Sequence, residues 1–268
     1  MLEHLSLCSL CSSPGAELEV AYKSADLVDF ATGVDLANEK LVSEAILAAF
    51  PSHAIIGEES SPDAVHDPAA PTWIIDPIDG TLNFAAGNPC CCVSVAFLPP
   101  GSPPAVGVVY APALGELYVA VSGAGSFLNG RRAAAAENRQ PNPSGNPLAA
   151  ASVAFEFGYA REPASIALMT AALSRLLARG VRALRAPGSG VLNIVWVGLG
   201  RLDACYAGVG GEGWRAWDYA AGSLFVEEAG GKVGNWRGGG GGFDLFADNM
   251  LCARDEGMYE VVRGVLLE

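Results

Sequence analysis

Trp73-Ile74-Ile75-Asp76-Pro77-Ile78-Asp79-Gly80-Thr81 is the stretch that decides how the chain is read. Thr72 to Ile75 is apolar and β-branched, the composition of a short strand, and it delivers Asp76 to the strand's carboxyl end. Pro77 cannot donate to a ladder and is expected to turn the chain. Asp79 follows three residues after Asp76, so both carboxylates can point into one small space. Two like charges that close repel strongly unless a cation lies between them. A hard cation such as Mg²⁺ takes carboxylate oxygens at about 2.0–2.1 Å and keeps water ligands. Standing alone, the same letters also describe a plain Asp-Gly turn after a capping Asp.

Two further segments shift that balance. Upstream, Gly57-Glu58-Glu59-Ser60 follows a second short apolar strand, Ala54 to Gly57. Downstream, Trp217-Asp218-Tyr219-Ala220-Ala221-Gly222 sets Asp218 at a helix start. Taken singly, Glu58 and Glu59 are solvated loop charges and Asp218 is a helix N-cap. Gly80 and Thr81 begin a turn or helix whose backbone N–H groups can hold phosphate oxygens.

Charge points the same way. The 268 residues carry 29 Asp and Glu against 16 Lys and Arg, a net charge of −13. Such a surface repels nucleic acid and anionic membranes, so neither is an expected partner. It also repels an anionic substrate unless bound cations sit in the site. With 51% hydrophobic residues the composition is globular. No run approaches the roughly 20 apolar residues of a membrane span. Val191 to Leu199 is short, carries Asn193, and reads as a buried helix. Seven cysteines, three of them consecutive at Cys90 to Cys92, do not form a disulfide framework. Free thiols fit a reducing compartment, the cytoplasm, with a plastid as the alternative.

Strands and helices in both halves predict α/β layers. Asp35 is expected to cap a helix to about Phe50, with Leu41, Ala45, Ile46 and Ala49 inward. Cys91 to Leu98, Ala105 to Tyr110 and Glu116 to Val121 predict an antiparallel meander, and Gly123 to Gly130 a turn-rich continuation. A polar, Pro/Asn-rich stretch after Ala136 divides an N-terminal lobe, residues 1–140, from a C-terminal lobe, residues 148–268. Pro163 opens a helix with Ile166, Met169, Leu173, Leu176 and Leu177 inward. Further strands are expected at Val181 to Leu184, Asp203 to Tyr206 and Met250 to Ala253. Further helices are expected at Ser189 to Leu199, Asp218 to Ala229 and Glu256 to Leu267.

The GEES, DPIDGT and WD segments, in that order, resemble the inositol monophosphatase family of metal-dependent, lithium-sensitive phosphatases. The similarity runs from about Lys23 to the carboxyl end. It implies the family's alternating α/β layered sandwich, a homodimer, and hydrolysis of a small phosphate monoester, inositol 1-phosphate first. It implies two or three Mg²⁺ ions: Glu58, Asp76 and the Ile78 carbonyl for the first, and Asp76, Asp79 and Asp218 for the second. Asp35, Glu58 and Thr81 are the implied catalytic residues, Thr81 activating a water under the orientation of Asp35. Asp29 is the alternative to Asp35. Gly80 and Thr81 amides would bind the phosphate, and Gly188, Ser189, Gly190 and Asp218 would contact substrate. Where the family commonly has a substrate-contacting Glu, this chain has Ala207. Glu212, in the glycine-rich loop that follows, either replaces it or is solvated, and selection among polyol phosphates is expected to be weak. Another small ester (galactose 1-phosphate, histidinol phosphate or a bisphosphate) and a non-catalytic metabolite-binding relative are the competing readings.

Overall fold

In the computed structural model, which describes residues 20–22, 30–135, 144–238 and 242–268, two sheets alternate with helices. A short antiparallel ribbon, β1 (Val20–Tyr22) and β2 (Phe30–Thr32), leads into helix α1 (Gly33–Ala49). The first sheet has seven strands in chain order: β3 (Ala54–Gly57), β4 (Thr72–Asp79), β5 (Cys92–Leu98), β6 (Val106–Ala111), β7 (Glu116–Val121), β8 (Gly125–Leu128) and β9 (Arg131–Arg132). Only β3 and β4 run parallel; from β4 onward it is the expected meander. Helix α2 (Thr81–Ala85) follows β4 directly.

The second sheet holds β10 (Ser152–Phe155), β11 (Ala183–Arg185), β12 (Ala204–Ala207), β13 (Lys232–Gly234) and β14 (Met250–Ala253), in the order β11-β10-β12-β14-β13. Its helices are α3 (Pro163–Ala178), α4 (Gly190–Gly198), α5 (Ala216–Glu228) and α6 (Glu256–Leu266). Helices α4 and α5 lie between the sheets and touch both, α3 and α6 cover the far face of the second sheet, and α1 packs on β4. The alternating α/β layered sandwich is thus the fold.

The layering explains the helix compositions. A helix between two sheets is covered on both sides, so it must be apolar all round. In α4 every residue except Trp196 is buried, and in α5 the run Tyr219 to Val226 is buried without a break. Strand β5 shows the matching two-residue period: Cys92, Ala96 and Leu98 enter the core shared with α4 and α5, while Val93 packs with Ile78, Phe84 and Cys91 on the α1 side.

Several elements depart from the sequence reading. Helix α1 buries Asp35, Asn38, Glu39 and Ile46, while Leu41 and Ala49 are exposed. Its inward stripe is largely polar, which an apolar-periodicity reading cannot detect. Its cap is Thr32; Asp35 is the third helical residue and accepts from Thr32 N at 2.7 Å. Pro77 does not end β4, which keeps its ladder to Asp79. The turn-rich stretch after Gly123 contains β8, and β13 had no sequence signal strong enough to name it. Helix α3 buries Met169, Ala172 and Leu176, leaving Ile166 and Leu177 outside.

That last difference gives a direct test. Leu176 is 0% exposed and Leu177 is 60% exposed. Leu176→Ala should cost about 2–5 kcal/mol of stability, and Leu177→Ala about 0.5 kcal/mol or less. Urea unfolding of the two variants measures both, and equal losses would contradict the observed facing of α3.

Candidate active site

Asp76 and Asp79 sit three positions apart, and in a regular strand residues an odd number apart point to opposite faces. The ladder with β5 removes that problem. Asp76 lies opposite Ser94 and Asp79 opposite Cys92, so three steps on β4 match two on β5, with a register shift between them. One extra residue has been inserted, a β-bulge, and it turns both carboxylates to the same face. Pro77 tolerates this position because a bulge needs one ladder donor fewer. The shared face is the one covered by α5, whose third residue is Asp218. Carboxylate oxygens of Asp76, Asp79 and Asp218 all fall within 4.8 Å of one another.

The three are held differently. Asp79 accepts from Gly190 N at 3.2 Å, Val191 N at 3.0 Å, the Ser189 hydroxyl and the Cys92 thiol at 3.7 Å. Three of these donors belong to the start of α4, where unpaired N–H groups favour an anion. Asp218 accepts from Arg215 N at 2.6 Å. Asp76 has a buried Oδ1 with no hydrogen-bond partner among the described residues. Burial, then the charges of Glu58, Asp79, Asp218 and Asp35, hold the Asp76 carboxyl well above the usual carboxylate range. Burial and the neighbouring Asp79 do the same to Asp218. Burial also raises Asp79, against the hydrogen bonds of Ser189, Val191, Gly190 and Cys92.

Glu58 follows β3 and, of the neighbouring charges, raises Asp76 the most. Its loop is clamped from α1. The buried Glu39 accepts from Glu59 N at 2.8 Å and Ser60 N at 2.9 Å. Gly57 makes the clamp fit, because a Cβ there would lie 2.4 Å from the Glu39 carboxyl carbon. The sequence reading gave Glu39 no role. The available signal was its spacing, since Asp35 and Glu39 are four apart and share a helix face.

Thr81 opens α2 and donates to the Ile78 carbonyl at 3.1 Å, with Asp35 Oδ1 at 3.5 Å. The other oxygen of Asp35 accepts from Thr32 N and Thr32 Oγ1. Asp29 lies outside the described residues. Gly80 has φ of 83°, a left-handed conformation that disfavours other residues, and a Cβ there would meet the Cys90 carbonyl at 2.8 Å.

Glu58, Asp76, Ile78, Asp79, Gly80, Thr81 and Asp218 line one cavity of about 610 Å³. Gly188 and Gly190 line it as well, but their N–H groups are directed to Glu156 and Asp79. Glu212 is neither solvated nor on a pliable loop. It is buried, and its carboxylate accepts from Val209 N and Gly210 N, both at 3.0 Å, so it ties down its own glycine-rich loop. Glu156, at the end of β10, also lines the cavity and was not singled out by sequence. It accepts from Gly188 N and Asn193 Nδ2, both at 2.8 Å, and burial pushes its carboxyl up to about 7.

The donor set fits a hard divalent cation. It is all oxygen, it is acidic, and its most buried member has an oxygen without a partner. Two ionised carboxylates within 4.8 Å repel by at least about 3 kcal/mol at an effective dielectric of about 20.

Comparison with known proteins agrees with this geometry. The model of the family described as "Inositol monophosphatase family" matches residues 7–266. Inositol monophosphatase 2 of Solanum lycopersicum is 42% identical over 211 residues, covering 77% of this chain and 75% of that protein. Inositol monophosphatase 1 of Homo sapiens is 32% identical over 248 residues, 92% of this chain and 84% of that one. Among solved structures, the Thermotoga maritima IMPase superposes with a TM-score of 0.77 at 29% identity, covering 98% of this chain and 94% of that one. By sequence, fold and the order of its acidic motifs, the chain belongs to the inositol monophosphatase family.

Proposed function

We propose that this protein hydrolyses a small phosphate monoester, inositol 1-phosphate first, using two or three Mg²⁺ ions. Family membership supports a phosphatase. The strongest support within the site is Asp76, a buried carboxylate with a free oxygen beside two further carboxylates. Glu58, Asp76 and the Ile78 carbonyl would hold one ion, and Asp76, Asp79 and Asp218 a second. Held by these residues, such ions would supply neutralisation of the phosphoryl oxygens, a lowered pKa for a bound water and stabilisation of the leaving alkoxide. A homodimer in the cytoplasm belongs to the same proposal.

The chain's own groups take the remaining tasks. The Thr81 hydroxyl has one proton, and Asp35 Oδ1 is 3.5 Å from its oxygen. With that proton turned toward Asp35, Thr81 Oγ1 accepts from the attacking water and fixes its direction. Asp35 is itself held by Thr32, so the relay is oriented before substrate arrives. The amides of Gly80 and Thr81 receive phosphoryl oxygens at the start of α2. Asp79 is locked by the start of α4, so its position does not depend on the ion.

Hydrolysis of inositol 1-phosphate, a hexose 1-phosphate and glycerol 2-phosphate should appear with Mg²⁺ and vanish in excess chelator. Full turnover in chelator would overturn the proposal. Asp76→Asn should leave a folded protein with less than about a tenth of wild-type kcat, a barrier rise of at least about 1.4 kcal/mol. The same variant tests the electrostatics. A carboxyl raised in the folded state binds its proton more tightly there than in the unfolded chain. Its contribution therefore declines as pH climbs from the unfolded carboxylate range through the raised folded value. Near neutral pH, Asp76→Asn should raise the melting temperature of the metal-free protein and shrink the rise produced by Mg²⁺. Calorimetry in chelator and in Mg²⁺ reads both changes. Asp35→Asn should lower kcat more than KM, since Asp35 touches the relay and not the substrate. A larger effect from Asp29→Asn would transfer that role to Asp29.

A further inference from the structure

The cavity holds more carboxylates than the proposed ions use, and their fates differ. Glu58, Asp76, Asp79 and Asp218 are assigned to metal. Glu212 has both oxygens engaged by its own loop at 3.0 Å, which turns the carboxylate toward Val209 and Gly210. Ala207 has no polar side chain, and it lies where the family's substrate-contacting Glu is expected. Glu156 remains. Its two short hydrogen bonds, from Gly188 N and Asn193 Nδ2, both fall on Oε1. The Ser189 backbone N–H adds a further hydrogen bond to the carboxylate, whose two oxygens together offer about four accepting positions, and the side chain lines the same cavity as the acidic cluster.

We propose that Glu156 is the specificity-determining residue that reads the hydroxyl groups of the substrate's alcohol portion. This rests on the phosphatase reading above and adds the group that distinguishes a polyol phosphate from a plain alkyl phosphate. The geometry supplies what such a reader needs. Oε1 is fixed by two donors at 2.8 Å, so little side-chain freedom is lost when a guest binds to the carboxylate. Asn193, one of those donors, is fully buried on α4, and its Oδ1 has no partner among the described residues. That side chain is held in a costly place, and among the described residues its hydrogen bond is to Glu156. The carboxyl, held up to about 7 by burial, can accept from a hydroxyl when ionised and donate to one when protonated. A site that hydrogen-bonds a hydroxyl rejects the analogue lacking it, because its buried polar group is then left unpaired.

A purely structural role is the alternative, with Glu156 pinning the loop at Gly188 that leads into α4. The two roles separate in a ratio. Steady-state kinetics with Mg²⁺ would compare inositol 1-phosphate with cyclohexyl phosphate, a ring of the same size without hydroxyls. The wild type should prefer inositol 1-phosphate by about a hundredfold or more in kcat/KM. Glu156→Gln should reduce that preference by about tenfold or more, mainly through the KM for inositol 1-phosphate. A wild-type preference under about tenfold overturns the proposal without any variant. So does a Glu156→Gln enzyme that loses activity on both esters by the same factor, the outcome expected of a structural pin. If Glu156→Gln does not fold, Glu156→Asp is read in the same way, and the wild-type ratio still decides. Hydrolysis of neither ester by the wild type would instead sink the phosphatase reading, a result distinct from a flat ratio.

Discussion

Electrostatic repulsion among Asp76, Asp79 and Asp218 is the constraint around which the rest of the structure is arranged. Like charges within 4.8 Å in a buried place oppose folding, and packing elsewhere must hold them together. Two of these residues come from one strand and the third from a helix on the other side of the chain's polar middle stretch. They meet because α5 is wedged between two sheets, with its whole middle buried. The hydrophobic layers therefore do more than stabilise. They hold the start of α5 against the carboxyl end of β4, whatever the charges prefer.

Within that arrangement the carboxylates divide. Asp79 is surrounded by donors from α4 and from Cys92, which offset part of the cost of burying its anionic form but leave its carboxyl raised. Asp76 is not satisfied in this way: its Oδ1 is buried and has no partner among the described residues. In a metal-free protein such a group answers by holding its proton, the direction in which its carboxyl is shifted. A fixed carboxylate beside an unsatisfied one gives a cation both a rigid anchor and a reason to bind.

Much of this was legible in the letters. The apolar runs before Gly57 and Asp76 are strands, the meander follows, and the order of the three acidic segments identified the family. What escaped has a common cause, namely that the deciding groups are backbone donors or register. No composition shows that the ladder takes one extra residue between Asp76 and Asp79, yet without it the two would face opposite ways. Pro77 looked like a stop and is instead the residue that a bulge accommodates. Helix α1 hid its inner face because the residues turned inward there are mainly Asp35, Asn38 and Glu39. An apolar stripe was sought where a polar one carries the site.

Glu156 and Glu212 show the same principle inside one cavity. Both are glutamates on its wall, and the sequence had marked only Glu212, the one acid in the glycine-rich loop that follows Ala207. Those glycines suggested reach. In the fold, Gly208, Gly211 and Gly213 take positive φ values, and the loop curls until the amides of Val209 and Gly210 converge on the Glu212 carboxylate. Flexibility in the unfolded chain becomes a tight turn closed by its own acid. Glu156 receives its donors from a loop and a helix distant in sequence. The difference between an acid that closes its own loop and one that ties separate elements lies in where its donors come from, local turn or distant segment, and long-range packing decides that.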